Sequence, residues 1–257
     1  MSTSAADPEG ATRDAFLGGR LHLWQPRRGY RAGVDAVLLA AAVPAEAGQA
    51  VLELGCGVGA AALCLAARVP GLHVTGVEIQ PDYAALAHRN AEETGLALEV
   101  VEADLAHMPK ALRQRSFDLV MMNPPYFDPA LGTGSADAGR DTALRGATPA
   151  TTWIDAGVRR LAPKGRLVMI QRIERLPEIL ALLDDRLGSV TVVPLAPRDG
   201  RAAHLFLLSA KKGGRARFRL APPLVLHAAA SHERDGEDYS PPVAAVLRDG
   251  APLDIWA

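Results

Sequence analysis

Four consecutive residues, Asn123, Pro124, Pro125 and Tyr126, follow the apolar run FDLVMM at 117–122, and their types suit chemistry on an amine. The exocyclic nitrogen of a nucleobase is a poor nucleophile because its lone pair is delocalised into the ring, so a site that uses it must localise that pair. The Asn123 carboxamide oxygen and the Pro124 carbonyl oxygen can accept the two N–H hydrogens. That bias toward tetrahedral nitrogen turns the lone pair toward a methyl donor. Pro124 and Pro125 remove two backbone donors and stiffen the turn, and Tyr126 offers a flat face on which a flipped-out base stacks. Two prolines also make ordinary tight turns, but Asn-Pro-Pro-Tyr directly after a buried strand is a more specific pattern.

A second constellation, Glu53-Leu54-Gly55-Cys56-Gly57-Val58-Gly59, joins a strand pattern to a helix pattern. Glycines there let the backbone turn sharply and let a ligand approach the main chain, while a helix N-terminus favours a negative group. Glu78 ends the next strand pattern, placed to take both hydroxyls of a ribose. The glycines alone leave the cofactor open, because Gly55, Gly57 and Ala60 also satisfy the dinucleotide pattern G-x-G-x-x-G/A. Glu53 shifts the balance from NAD toward S-adenosylmethionine, since a carboxylate suits an ammonium group and crowds a pyrophosphate. Its bland alternative is to cap a neighbouring backbone amide.

Such groups need elements that bring several strand ends together. From Val51 onward, short runs rich in Val, Leu and Ile (50–54, 73–78, 98–102, 117–122, 166–171, 189–194 and 203–209) alternate with helical patterns at 59–68, 81–94, 149–161 and 174–186. This alternation reads as a parallel sheet with crossover helices. Residues 1–15 read as a loose tail, 16–212 as the main domain and 213–257 as a C-terminal appendage. At 257 residues, 49% hydrophobic and 22% charged, the chain supports one sizeable core and excludes disorder. No run of 18 apolar residues and no signal-like start points to a membrane or to secretion. Cys56 and Cys64 make no disulfide framework, and the seven histidines offer no metal-ligand spacing, so no metal is expected and the cytoplasm is the expected home.

The order and spacing of ELGCGVG, Glu78, Asp104 and NPPY resemble the class I S-adenosylmethionine-dependent N-methyltransferases over most of residues 20–210. The resemblance implies a Rossmann-like, doubly wound, mostly parallel seven-stranded α/β sheet with a short N-terminal cap. It also implies S-adenosylmethionine as cofactor, with Glu53, Gly55 and Gly57 at the methionine end, Glu78 on the ribose, Asp104 on the adenine amine and Asn123 between cofactor and acceptor. The upstream stretch from Gln25 to Leu39 is similar to the segment that precedes the glycine loop in bacterial valine-tRNA adenine-N6 methyltransferases, which modify an adenine beside the anticodon. That likeness implies Gln25, Gly33 and Asp35 at the cofactor. Asp35 reads equally as the N-cap of a helix over 36–43, and Asp104 as a cap before Leu105. The Gly-rich stretch 128–146 sits where a substrate-covering loop would follow NPPY, with Arg140 and Arg145 as phosphate contacts.

The implied activity is transfer of a methyl group to the N6 amine of a single flipped adenine in tRNA, by direct displacement without metal. Rivals are a protein-glutamine N5 methyltransferase, an rRNA guanine-N2 methyltransferase, a non-catalytic cofactor-binding module and an NAD-dependent oxidoreductase. A net charge of −1 does not announce a nucleic-acid binder, but two basic stretches stand out. One holds Arg20, Arg27, Arg28 and Arg31; the other runs from Arg198 and Arg201 through Lys211, Lys212, Arg215 and Arg217 to Arg219. If both lie on the rim that carries NPPY, they form a phosphate-binding surface; the bland alternative is that such charges are simply solvated surface.

Overall fold

A computed structural model describes residues 10–126, 148–228 and 238–256. The expected loose tail is corrected from residue 11 onward: β1 (Ala11–Phe16) and β2 (Leu21–Pro26) form an antiparallel hairpin. Ala11, Phe16, Leu21, Leu23 and Trp24 of this pair are buried, and Phe16, Leu21 and Leu23 join the main core, which is why the segment orders. Helix α1 (Val34–Ala42) follows. The alternation then proceeds as β3 (Ala50–Leu54), α2 (Ala60–Arg68), β4 (His73–Glu78), α3 (Pro81–Thr94), β5 (Glu99–Glu102), the short α4 (Lys110–Arg113) and β6 (Phe117–Met122). Beyond the omitted stretch come α5 (Ala150–Arg160), β7 (Leu161–Arg172), α6 (Leu176–Leu182), β8 (Leu187–Ala196) and β9 (Leu205–Lys212).

With β10 (Arg219–Leu220) and β11 (Leu224–Val225), the main sheet runs β10-β8-β9-β7-β6-β3-β4-β5, β11 also pairing with β8. Seven of these strands are the expected ones. The two-residue strands β10 and β11 bring the sheet to nine, because the appendage returns along β8 rather than leaving the domain. All pairings are parallel except those of β9. Strand order reverses beside β3, whose neighbours are β4 and β6, and a crevice at that reversal is where α/β sheets bind ligands.

Alternate residues of each strand feed two apolar layers, as the pleat requires. Val51, Leu119, Met121 and Val168 pack under α1, α2 and the C-terminal helix α7 (Pro241–Asp249). Leu52, Leu54, Val120 and Met122 pack under α5 and α6. Glu53, set between Leu52 and Leu54, therefore lies on the α2 face although it is charged. Pro81 opens α3 in its first turn, where a missing N–H costs no helical bond, and Gly95 closes it in the left-handed region. Among the described residues no helix is long and apolar enough to cross a membrane.

Candidate active site

The glycine loop leaves the carboxyl end of β3 and enters α2. Gly55 has φ +65, and a Cβ there would stand 2.3 Å from Cη2 of Trp153 on α5, so the position needs glycine for both conformation and space. Cys56 N–H donates to Val77 O at 2.9 Å, which pins the loop to β4. Glu78, at the end of β4, is buried; its Oε2 accepts from Gly57 N–H at 2.8 Å and its Oε1 from Gln80 N–H at 2.9 Å. Each oxygen keeps a further lone pair for a hydroxyl donor. Asn90 on α3, fully buried, accepts from Trp24 N–H and donates to Trp24 O and Val58 O, which stitches β2 and the loop to α3.

Glu53 is buried, and its Oε2 accepts from Ala62 N–H at 2.9 Å in the first turn of α2. The capping alternative is thus realised, though it occupies one oxygen. Burial pushes the Glu53 carboxyl well above the usual carboxylate range; the Ala62 amide offsets this and the Glu78 charge reinforces it. Glu53 also lines a cavity together with Tyr30, Ala32, Gly55, Cys56 and Asn123. A buried carboxylate that lines a cavity suits an ammonium group.

Asn123 leaves β6 across the reversal point from the glycine loop. Its Nδ2 donates to Asp35 Oδ2 at 2.9 Å and to the Tyr30 hydroxyl at 3.3 Å. Its Oδ1 is buried and has no hydrogen-bond partner among the described residues. Tyr126 donates its hydroxyl to the same Asp35 Oδ2 at 2.8 Å. Burial, and then the Asp35 carboxylate, push the Tyr30 and Tyr126 phenols up, so both remain protonated donors at working pH. Pro124 is buried and its carbonyl accepts from Gln171 Nε2 at 3.1 Å, while Pro125 O lies 3.5 Å from Arg175 Nη1.

The structure brings Glu53, Gly55, Gly57, Glu78, Asp35 and the Asn123 to Tyr126 turn around one crevice. Gly33 is the exposed N-cap residue of α1. Asp35 is not that cap, since the helix begins at Val34; it sits in the first turn, where its Oδ1 accepts from Gly33 N–H at 3.2 Å. Gln25, expected at the cofactor, uses its carboxamide inside the protein: Nε2 donates to Asp14 Oδ2 at 2.7 Å and to Ala32 O at 3.2 Å, and Oε1 accepts from Ala32 N–H at 2.7 Å. Asp104 caps the short turn Leu105–His107, accepting from Ala106 N–H at 2.9 Å and pairing with His107 at 2.9 Å. These contacts, the His107 bond first, hold its carboxyl below the usual range.

Gln171, Tyr30 and Trp153 are site residues that the motifs did not single out. Tyr30 lies within the stretch from Gln25 to Leu39 without being named there, Gln171 is the polar residue ending the apolar run RLVMIQ, and Trp153 left no signal. Arg140, Arg145 and the rest of 128–146 lie outside the described residues. The second basic stretch does not lie on the NPPY rim as a whole. β8 ends near Arg198 and Arg201 at the carboxyl edge, but β9 runs antiparallel and carries Lys211 and Lys212 to the amino edge, where Lys211 pairs in register with Arg166.

Residues 51–135 match the family described as a methyltransferase domain. A tRNA1(Val) (adenine(37)-N6)-methyltransferase of Yersinia enterocolitica is 39% identical over 116 residues, a match spanning 44% of this chain and 45% of that one. The enzyme of the same name from Yersinia pseudotuberculosis is 30% identical over 224 residues, 85% of this chain and 84% of the relative. Among solved structures, a predicted O-methyltransferase from Agrobacterium tumefaciens superposes with a TM-score of 0.69 at 30% identity, covering 85% of this chain and 98% of that one. An S-adenosylmethionine-dependent O-methyltransferase from Thermotoga maritima shares the fold, with a TM-score of 0.53 at 19% identity over 74% of this chain and 69% of its own. With the glycine loop, the acidic strand end and the Asn-Pro-Pro turn in one crevice, and a relative matched over most of both lengths, the chain belongs to the S-adenosylmethionine-dependent class I methyltransferase family that includes the tRNA1(Val) adenine-N6 enzymes, and S-adenosylmethionine is its cofactor.

Proposed function

We propose that the protein methylates the N6 amine of an adenine in tRNA, within the cytoplasm, at the position that its relatives' name gives as 37. The observation that carries this reading is the state of Asn123. Its amide nitrogen is held by Asp35 and Tyr30, while its buried oxygen accepts from no donor among the described residues. A buried acceptor without a donor costs about 1–3 kcal/mol, and an incoming N–H removes that cost. The Pro124 carbonyl, already bonded to Gln171 Nε2 on one side, has a second lone pair for the other N–H. Accepting both hydrogens localises the nitrogen lone pair, which a hydroxyl acceptor with one O–H does not require. This favours an amine over the oxygen acceptor in the name of the Agrobacterium structure.

S-adenosylmethionine, when bound, supplies an electrophilic methyl group. Glu53 fits its ammonium, the loop amides and the α2 N-terminus fit its carboxylate, and Glu78 fits its ribose hydroxyls. Asp104, with both oxygens engaged at its own turn, keeps one lone pair on each for an adenine amine. Tyr126 is assigned to stack on the flipped base, and the work of the site is positioning and lone-pair localisation. Incubation with labelled methyl donor and tRNA lacking the modification, followed by digestion to nucleosides, tests the reading. Labelled N6-methyladenosine supports it. Label in N2-methylguanosine, in 2′-O-methyl nucleosides or in a peptide glutamine overturns it in favour of the corresponding rival.

A further inference from the structure

At the amino edge of the sheet, Lys211 pairs in register with Arg166 of β7 and Gly188 of β8, and Gly213 N–H donates to Arg186 O. Lys212 reaches the end of α5, whose last turn carries Arg159 and Arg160. Arg160 in turn reaches α4, which carries Arg113, while Arg159 and Arg186 are paired with Asp155. Two of these cations, Arg160 and Lys212, feel their like-charged neighbours. Burial, and then Arg159 and Arg113, lower Arg160, while burial, and then Arg160 and Arg186, lower Lys212. Two members are structural, because Lys212 Nζ donates to Val158 O and Leu161 O at 2.9 and 2.6 Å, and Arg160 to Leu112 O at 3.3 Å. By contrast, Arg113, Lys164, Lys211, Arg215 and Arg217 have no acceptor or carboxylate among the described residues. Segments 110–118, 155–166, 184–190 and 211–217 hold twelve Lys and Arg against four Asp, although the whole chain has 28 cations and 29 carboxylates. Beside them, on the open edge strand β10 and just before it, Leu220 and Phe218 are exposed.

Six residues of β6 separate this edge from Asn123, about 20 Å at roughly 3.3 Å per residue. A concentration of like charge is unfavourable by itself and favours a polyanion. We propose that this amino-edge surface binds the phosphodiester backbone of the substrate RNA well away from the reacting nucleotide, with Phe218 as a stacking face, so that a long folded RNA is preferred over a short stem-loop carrying the same target. The proposal rests on the RNA reading above. Its test is the charge-reversed variant Lys211→Glu, Arg215→Glu, Arg217→Glu, whose side chains make no hydrogen bond or ion pair among the described residues; Lys211 is half-buried and the two arginines are exposed. Binding of unmodified tRNA is expected to weaken tenfold or more at low salt, and the log–log salt slope to fall by about 2–3, at roughly 0.7–0.9 per phosphate contact. Affinity for S-adenosylhomocysteine and turnover of a short stem-loop are expected to stay as in the wild type. Unchanged tRNA affinity and slope, an equal loss on the stem-loop, or wild-type binding to anionic lipid vesicles but not to tRNA overturns the proposal. A wild type that shows the salt-dependent tRNA binding but methylates only a non-RNA acceptor leaves the surface standing and removes the RNA-methylation reading.

A separate observation concerns Asp35, whose Oδ2 takes both the Asn123 amide and the Tyr126 hydroxyl. A carboxylate only accepts, so it selects the NH₂ end of Asn123 and thereby directs the carboxamide oxygen away from itself. We infer that Asp35 is a positioning residue that fixes the orientation of the Asn123 amide, rather than a cofactor ligand. The test compares S-adenosylhomocysteine with a cofactor analogue that carries an amine in place of the transferable methyl group. The wild type is expected to prefer the amine analogue through Asn123 Oδ1. Asp35→Ala is expected to cut that preference about tenfold with S-adenosylhomocysteine affinity within twofold, and Asp35→Asn, which keeps a carbonyl acceptor, to restore much of it. No preference in the wild type, a preference intact in Asp35→Ala, or a parallel loss of S-adenosylhomocysteine affinity overturns the assignment.

Discussion

At the scale of single residues, Asn123 and Glu53 show how burial gives a side chain its task. Asn123 is half-buried, yet its oxygen is shut off from solvent and has no partner among the described residues, so its value lies in what docks against it. Asn123→Ala is expected to lower methylation by about 10²–10³, the cost typical of removing one preorganised hydrogen-bonding group from a reacting centre, with cofactor affinity within twofold by calorimetry. Tyr126→Ala is expected to lose less, about 1–3 kcal/mol for a stacking face; a Tyr126 variant more damaged than the Asn123 variant would mean that the base is held differently. Glu53 allows a prediction with a definite sign. Its folded carboxyl titrates above the unfolded one, so the folded state holds the proton longer and stability falls as pH rises from the unfolded value toward the folded one. Glu53→Gln keeps an oxygen for Ala62 N–H and removes the buried charge. The cofactor-free variant is therefore expected to melt higher than wild type at pH 8, with the difference vanishing below about pH 4, near the unfolded carboxylate value, while S-adenosylmethionine binds more weakly. A melting difference independent of pH would contradict this account of Glu53.

At the scale of elements, the hairpin and α3 hold the crevice from outside. Trp24 shows its N–H and C=O to Asn90 rather than to another strand, so one side chain finishes the edge of β2 and reaches Val58 in the glycine loop as well. Asn90→Ala leaves these three backbone groups unpaired in a buried site, at about 1–3 kcal/mol for each that water cannot reach. Denaturant unfolding is expected to show a loss of roughly 3 kcal/mol or more, and amide exchange to speed up at Trp24 before it does so in β3 or β4. Uniform acceleration across the sheet would mean that Asn90 supports the core generally rather than the seam between hairpin, loop and helix. Arg31 ties the same region together: it donates to Thr12 Oγ1 at 2.8 Å and to Pro26 O at 2.7 Å, and it pairs with Asp14. Part of the first basic stretch is thus committed to holding the cap in place.

For the molecule as a whole, the C-terminal residues close the structure onto its beginning. Val243 and Val246 of α7 are fully buried, Leu253 N–H donates to Ala41 O at 2.8 Å, the Trp256 indole donates to Ala42 O, and Arg20 donates to Asp249 O. A chain ending before Pro241 loses Val243, Val246 and Leu253 at about 1.5–3 kcal/mol each, comparable with the 5–15 kcal/mol that typical domains possess. Truncation there is expected to abolish the cooperative thermal transition or lower it by more than 10 °C, by about 4–8 °C per kcal/mol for small domains and less for larger ones. An unshifted transition would make the segment a true appendage. The alternation of β and α patterns, the turn after β3 and the turn after β6 were legible from the amino acids, because local periodicity and glycine or proline chemistry act within a few residues of chain. Strand ends that align at the reversal point followed from the same pattern. Tertiary structure alone determined that Asp35, 88 residues before Asn123 in the chain, meets it side chain to side chain, that Gln171 grips Pro124, and that one basic stretch divides between opposite edges of the sheet. The first two depend on contacts between distant segments that leave no local period. The third depends on the direction of β9, and an apolar strand pattern of period two reads the same in either direction.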